Sequence, residues 1–498
     1  MKKEVKNLTR FMTENGFIWG PSPEIYGGFS GFYAYAPLGK LLKGRVESQI
    51  RNFFSSNDFW EVEMPTVMQR EVWKASGHLD EFNDPLASCK RCKEEFAVDK
   101  IIENELNCEC PAKIDEINEM VEKNNLKCPE CGGNLGKASL KSLMIKTEVG
   151  EREAYFRPET ATTTYLPFKR YYHYFRRKLP FGVFQIGKAY RNEISPRQHL
   201  IRGREFVQAE AQLFLSEEQK HNFDKIDDLN KDQKVPILKD DSSDLIKVKV
   251  SKMINDILNN ESYAWALIKT YNFFRSLGIS EDKIRLRRHG DDEKAFYADD
   301  AWDVEINMNS FGWIEVCGVH DRTDYDLKKH SEHSHEDLNF KKDGEIIEPH
   351  IIEIAAGVDR IVYSILDLSY EKRKESEGKT TLELSPHIAP IPIAIFPLIK
   401  KDELIDVAED IKDDLNKRFA VFYDESSNIG KRYLRANKKG IPYAVTVDFD
   451  TLEDSTVTIR DRDTEEQKRI KISEIREIVT KLVERDMTFE DIENQENK

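Results

Sequence analysis

The segment from Tyr190 to Phe214, YRNEISPRQHLIRGREFVQAEAQLF, sets Arg191, Arg197, Arg202 and Arg204 among Glu193, Glu205 and Glu210. Apolar runs flank it, FGVFQIG before and EAQLF at its end, and both read as strands. A strand–loop–strand hairpin puts these charges on one surface. Guanidinium groups grip phosphate and carboxylate through paired hydrogen bonds. Carboxylates beside them can accept from an amine or an adenine amino group. A solvated, salt-bridged hairpin would add little stability, and the density of charge here favours a binding role.

A chain of 498 residues has room for two to four domains and a large core. At 39% hydrophobic and 34% charged residues the composition is that of a soluble globular protein. It has no apolar run of about 18 residues, so no membrane span is expected. The opening MKKEVKNLTRFMTENG lacks the apolar centre of a secretion signal, which predicts a cytoplasmic protein. A net charge of −15 argues against indiscriminate nucleic-acid binding but leaves room for local basic patches. Three are present: KRYYHYFRRK (Lys169 to Lys178), KIRLRR (Lys283 to Arg288) and IGKRYLRANKK (Ile429 to Lys439). Aromatics in the first could stack on bases or pack in the core.

Six of the seven cysteines fall between Cys89 and Cys131, as CKRC, CEC and CPECGG. Two CxxC pairs with a Gly-rich turn after the second read as a zinc ribbon, with Cys89, Cys92, Cys128 and Cys131 as thiolate ligands. The long spacing between the pairs leaves Cys108 or Cys110 as substitutes. Four thiolates leave no open position, so the Zn2+ would be structural. Cys317 reads as a core cysteine. His330, His333 and His335 have spacing that could ligate a metal, but the polar, acidic context reads as a solvated helix start.

The pattern divides the chain into a core part at 1–84, a zinc-ribbon-like insertion at 85–140, a second core part at 141–215 and a polar insertion at 216–279. A third core part at 280–369, a charged linker at 370–384 and a C-terminal domain at 385–498 follow. An amphipathic helix is expected from Leu38 to Ser56, a strand ending at Pro65, and a strand-to-helix switch near Gly357. In the tail, IPIAIFPL, FAVFYDE, AVTVDFD and TVTIRDRD alternate with helical periodicity, the pattern of a small α/β domain with a mixed sheet.

Three further segments carry charge in positions suited to chemistry: FRPETATTTYLPF with Glu159, GWIEVCGVHDRTDYDL with Glu315 and Arg322, and Glu353 followed by GVDR, Gly357 to Arg360. Together they provide arginines for phosphates and carboxylates for a cation or magnesium. With these segments in order, the chain resembles the class II aminoacyl-tRNA synthetases, and within them the glycyl-tRNA synthetases of the dimeric archaeal–eukaryotic type. EIYGGFSGFYAYAPLG is similar to that family's opening. The helix and strand ending at Pro65 resemble motif 1, YRNE and the following strand motif 2, and GVDR motif 3. APIPIAIFPL, SNIGKRY and TVDFDTLEDSTVTIRDRDTEEQ resemble the family's anticodon-binding domain.

The resemblance implies an α+β architecture: an antiparallel-sheet catalytic core with the zinc-ribbon insertion, followed by the anticodon-binding domain. It implies a homodimer that uses ATP and Mg2+ to join glycine to tRNA through glycyl-adenylate. Catalysis would fall to Arg191, Glu193 and Arg360. The ATP site would comprise Arg191, Asn192, Glu193, Ile201, Arg202, Gly203, Arg204, Glu205, Phe206, Glu315, Val316, Arg322, Gly357, Val358, Asp359 and Arg360. In detail, Arg191 would hold the α-phosphate, Phe206 and Arg360 would sandwich adenine, Arg322 would help bind the triphosphate tail and Glu315 would bind magnesium. The amino-acid site would comprise Glu159, Phe206, Val207, Gln208, Ala209, Glu210, Glu353 and Ala355, with the three glutamates around the ammonium. Where the family reads RPETAQG this chain reads RPETATT, and where it has Glu-Pro-Ser this chain has Glu353, Ile354 and Ala355. These changes touch the amino-acid end and keep three alternatives in view: another small amino acid, an acceptor other than tRNA, or a non-catalytic synthetase-like binding protein.

Overall fold

The computed structural model describes residues 3–106, 108, 110–111, 113–194, 196, 199–238, 245–290, 298–342, 344–373 and 379–493; Arg197 lies outside them. Among these residues a nine-stranded sheet carries the centre of the chain. In chain order its strands are Phe59–Glu61 (β1), Phe181–Tyr190 (β2), Glu205–Leu215 (β3), Lys234–Leu238 (β4), Leu245–Lys249 (β5), Ile284–Arg288 (β6), Asp300–Met308 (β7), Gly312–Thr323 (β8) and His350–Gly357 (β9). Their order across the sheet is β5-β4-β6-β7-β8-β9-β3-β2-β1. All neighbours are antiparallel except β1 with β2 and β4 with β6. The β2–β3 pair is the hairpin anticipated from the charged segment, with Phe181 opposite Phe214 and Tyr190 opposite Glu205.

Three helices cover one face of this sheet. Helix α1 (Pro37–Ser56) begins with proline at its start, where the missing N–H costs nothing, and buries Leu38, Leu42, Val46, Ile50 and Phe54. Helix α2 (Glu261–Ser276) is capped by the Asn260 side chain, which accepts from the Tyr263 amide. Helix α3 (Val358–Ser369) starts directly at the end of β9 and buries Ile361, Val362, Ile365 and Leu366.

The segment 216–279 departs from the polar insertion expected of it. Its strands β4 and β5 extend the main sheet, and α2 contributes Trp265, Leu267, Ile268 and Phe274 to the main core. Charged residues outnumber apolar ones from Asp224 to Lys234, which masked that buried helix.

The cysteine-rich region is more than a ribbon. Strands Asn83–Ser88, Glu95–Ala97 and Ser139–Ser142 form their own sheet, and two helices, Val98–Leu106 and Ile114–Lys123, pack on it. Phe96, Ile101, Ile102, Ile117 and Val121 form a small separate core.

The C-terminal domain has the mixed sheet its periodicity predicts. Ile393–Pro397 (β10), Val421–Tyr423 (β11), Tyr443–Val447 (β12), Thr456–Asp461 (β13) and Gln467–Lys471 (β14) lie in the order β11-β10-β12-β13-β14. Helices Asp402–Leu415 (α4), Ile429–Lys438 (α5) and Ile475–Glu484 (α6) accompany it, and α4 and α6 close a core around Ile393, Ile395, Val445 and Ile459.

Candidate active site

Side chains alternate across a strand, so residues two apart share a face. On β3 these are Phe206, Gln208 and Glu210; on β8, Gly318, His320 and Arg322; on β9, Glu353, Ala355 and Gly357. All nine line one cavity of about 200 Å3. The register aligns them in rows: Gly318 lies opposite Ala355, and Ala355 opposite Glu210, while His320 lies opposite Glu353. Between β7 and β8 the pairing steps from Val304–Cys317 to Glu305–Glu315, leaving Val316 as an extra residue. This bulge reverses the alternation and brings Glu315 to the cavity side.

One end of the cavity is built from carboxylates. Glu159, from the loop after strand Arg152–Phe156, accepts from Thr162 Oγ1 at 2.8 Å and faces His78 Nε2 at 3.6 Å. Glu210 accepts from Thr160 Oγ1 at 2.5 Å. Glu353 is held by Gln212 Nε2 at 2.8 Å, by Arg322 Nη1 at 3.1 and 3.2 Å, and by His320 Nδ1 at 3.0 Å. Burial pushes the Glu210 carboxyl up to about 8, with Glu353 and Glu159 adding to the effect. Burial also works against charge on Glu159, but His78, Arg322 and Thr162 outweigh it and hold this carboxyl well below its ordinary range. Glu353 is likewise lowered, because Arg322 and His320 outweigh its burial. The cluster therefore holds a proton that an arriving cation can displace.

The other end is built from arginines and an aromatic face. Arg191 Nε donates to the Pro158 carbonyl at 3.0 Å, and its guanidinium lies between the rings of Phe206 and Phe82, 5.4 and 5.3 Å from their centroids. Arg202 Nε donates to Glu193 Oε2 at 2.5 Å. Arg360, in the first turn of α3, donates from Nε to the Ile201 carbonyl at 3.2 Å and from Nη1 to Glu315 Oε2 at 3.1 Å. Arg360 outweighs the burial of Glu315 and lowers its carboxyl. Cations and an ionised carboxylate thus sit side by side around an aromatic face, which suits a polyphosphate with a divalent ion and a planar base.

Several residues assigned to the site by resemblance stand elsewhere. Ala209, Val316 and Val358 belong to the hydrophobic core: Ala209 by strand alternation, Val316 by the bulge and Val358 by its place in the first turn of α3. Glu205 pairs with Lys188 at 2.7 Å on the outer face. Arg204 is a clamp: its Nε donates to the Glu193 carbonyl at 2.8 Å and its Nη1 to the Ser30 carbonyl at 3.0 Å. The Asn192 amide donates to the Leu143 carbonyl at 2.8 Å. Arg322, expected on a triphosphate tail, does line the cavity, but at its carboxylate end, where it is buried and grips Glu353 and Asp326. Asp359 lines the cavity and is also buried against Lys43 and Tyr35. Ile201, Gly203 and Val207 do line the cavity. Sequence reasoning missed His78, His320 and Thr160. His320 stands two residues before Arg322, so strand alternation carried a signal for it; His78 had none.

Family models match two stretches of the chain: a class II tRNA synthetase core domain (G, H, P, S and T) over residues 144–235, and an anticodon binding domain over residues 392–482. Glycine–tRNA ligase of Methanocaldococcus jannaschii is 38% identical over 95% of this chain and 98% of its own length. The chain belongs to the glycine–tRNA ligase family. The ligase of Methanothermobacter thermautotrophicus is 36% identical over 96% and 99% of the two chains. Among solved structures, Giardia lamblia prolyl-tRNA synthetase in complex with prolyl-adenylate is similar in fold, with a TM-score of 0.61 at 14% identity, covering 97% of this chain and 81% of that one. The structure described as the RNA binding domain of threonyl-tRNA synthetase from Cryptosporidium parvum has a TM-score of 0.60 at 18% identity, over 96% of this chain and 98% of that one.

In this glycine–tRNA ligase family member, Cys89, Cys92, Cys128 and Cys131 bring their sulfurs within 4.8 Å of one another. Cys108 and Cys110 are not in the cluster. No membrane-crossing helix is found among the described residues. The histidine series does not converge: His330 is buried with Nε2 at 3.4 Å from the Tyr165 hydroxyl, which corrects the solvated reading for that residue, while His333 and His335 are exposed. Of the basic patches, Tyr171 and Tyr172 pack into the core and Tyr174 is exposed. Arg285 pairs with Glu305, Arg287 with Glu305 and Asp303, and Arg288 with Asp300. On α5, Arg432 is buried and donates to backbone carbonyls.

Proposed function

We propose that the cavity runs the two half-reactions of glycine–tRNA ligation: glycine and ATP form glycyl-adenylate and pyrophosphate, and the glycyl group then passes to the terminal adenosine of tRNA. The observation that carries this reading is two buried carboxylates, Glu210 and Glu353, and the half-buried Glu159 converging over a floor made of Gly318 and Ala355. Such a pocket offers an ammonium group strong partners and leaves little space for a side chain. Glu159, Glu210 and Glu353 bind the ammonium, and Arg322 and His320 keep the cluster from being over-charged when empty. Adenine lies on Phe206 with Arg360 on its other face. Arg191 holds the α-phosphate and stabilises charge as the substrate carboxylate attacks it. Glu193 keeps Arg202 at the nucleotide, and Glu315 is the carboxylate placed for Mg2+. No enzyme nucleophile is required; positioning and fixed charges lower the barrier.

The cysteine cluster fits a structural Zn2+. Tetrahedral Zn–S bonds of about 2.3 Å put sulfurs about 3.8 Å apart, and Cys89–Cys131 and Cys92–Cys128 stand at 3.5 and 3.7 Å. Bound zinc would tie the two ends of the 85–140 insertion together. The C-terminal domain, 385–498, reads the tRNA anticodon. Homodimerisation through α1 and β1 is supported by exposed Leu41 and Trp60, the latter on the edge strand of the main sheet. ATP–pyrophosphate exchange with each amino acid tests the reading. Exchange with glycine above all others is expected; exchange led by alanine or serine would overturn the substrate, and none with any amino acid would overturn the enzyme.

A further inference from the structure

Gly318 and Ala355 leave a trough in the floor of the carboxylate pocket, and one ring lies in it. A Cβ placed on Gly318 would stand 2.6 Å from His320 Cε1 and 2.9 Å from its Nε2. The ring cannot easily move off. Its Nδ1 is 3.0 Å from Glu353 Oε1, and Glu353 is itself braced by Arg322 and Gln212. Behind it stands the ring of His289, 6.2 Å away between centroids, with its own Nε2 at 2.8 Å from Asp303. We propose that His320 is a specificity-determining residue, whose imidazole fills the space over Gly318 and so keeps out amino acids that carry a β-carbon. A pocket that merely lacks attraction for a methyl group discriminates weakly, by about 10- to 200-fold. A braced aromatic ring adds repulsion, because overpacking forces a neighbour off its rotamer. The inference rests on the reading that glycine is the substrate.

His320→Asn keeps a donor near Glu353 but vacates the far edge of the ring, and His320→Ala removes both. The measurement is kcat/KM for glycine and for alanine in ATP–pyrophosphate exchange. Both variants are expected to raise the alanine-to-glycine ratio by about 10-fold or more, and the alanine variant alone to raise KM for glycine as well. An unchanged ratio in folded variants overturns the proposal while leaving glycine ligation intact. Failure of the unaltered chain to activate glycine would instead sink the functional reading. If the variants do not melt cooperatively, carbethoxylation of the unaltered chain, mapped by mass spectrometry, serves in their place. Glycine is expected to shield His320 several-fold and ATP alone not to; a ring equally reactive with and without glycine overturns the proposal.

Discussion

Asp359 Oδ2 accepts the backbone N–H of Val207 at 2.6 Å, locking the first turn of α3 to strand β3. The other oxygen of the same carboxylate meets Lys43 Nζ of α1 at 3.1 Å and the Tyr35 hydroxyl. One buried carboxylate therefore joins the three segments that resemble motifs 1, 2 and 3. Arg360 follows it in the chain, so the clamp aims the guanidinium that reaches Glu315.

Replacing Asp359 by alanine should be costly. It strands a buried Lys43 and an unpaired amide, and breaking such a pair costs about 3–5 kcal/mol. Denaturant unfolding is expected to show a loss of that size, together with weakened exchange activity. A change under about 1 kcal/mol would mean that water replaces the carboxylate.

Glycine binding should release a proton. Glu210 is raised to about 8, first by burial and then by Glu353 and Glu159. At pH 7 the empty pocket holds it protonated, and an ammonium beside it favours the ionised form. Glycine affinity is expected to rise from pH 6.5 to about 8 and then level off. In the empty protein the sign reverses: the raised carboxyl contributes stability below its unfolded value near 4.3 that is lost as pH climbs through about 8. Calorimetry in two buffers of different ionisation enthalpy counts the proton; a buffer-independent heat would count against Glu210.

Arg191→Ala should reduce ATP–pyrophosphate exchange by at least about 10²–10³-fold, the cost of removing one fixed donor from a charge-developing site. Its neighbours Phe206 and Phe82 remain in place, so thermal unfolding and the sedimenting mass should stay close to those of the unaltered chain. Retained exchange would place the reacting phosphate elsewhere.

Cys128→Ser should lower zinc content from about one per chain to near zero, as expected for a four-thiolate site that loses a ligand. The insertion has its own small core around Phe96, Ile102 and Ile117. A separate, earlier melting step of this module is therefore expected, with the main transition unchanged. Metal analysis and differential scanning calorimetry check this, and full zinc content in the variant would point to a different ligand set.

Much of the fold was legible because local rules and tertiary structure agreed. The strands of the charged hairpin, the amphipathic helix α1 and the alternating C-terminal domain all carry their period openly. The segment 216–279 was not legible, since a charged run from Asp224 to Lys234 stands before strand β4 and helix α2, both of which the core buries. At the site, Arg191, Arg360, Glu159, Glu210 and Glu353 were found from the residues and their resemblance. Arg322 was found but given the wrong partners, because its distance from the phosphate end depends on where β8 lies in the sheet.

Chemical inventory was thus a property of the chain as written: which cations, carboxylates and thiolates it owns, and the periods that make strands and helices. Sharing of that inventory was settled by the fold. Strand parity sent Ala209 to the core and Gly318, His320 and Ala355 to the cavity, the first turn of α3 buried Val358, and a single extra residue at Val316 turned Glu315 around. Sequence neighbours on a strand face opposite ways, while residues far apart in the chain meet across paired strands. Only register, which is fixed by burial of one face, determines which carboxylates stand close enough to share a proton.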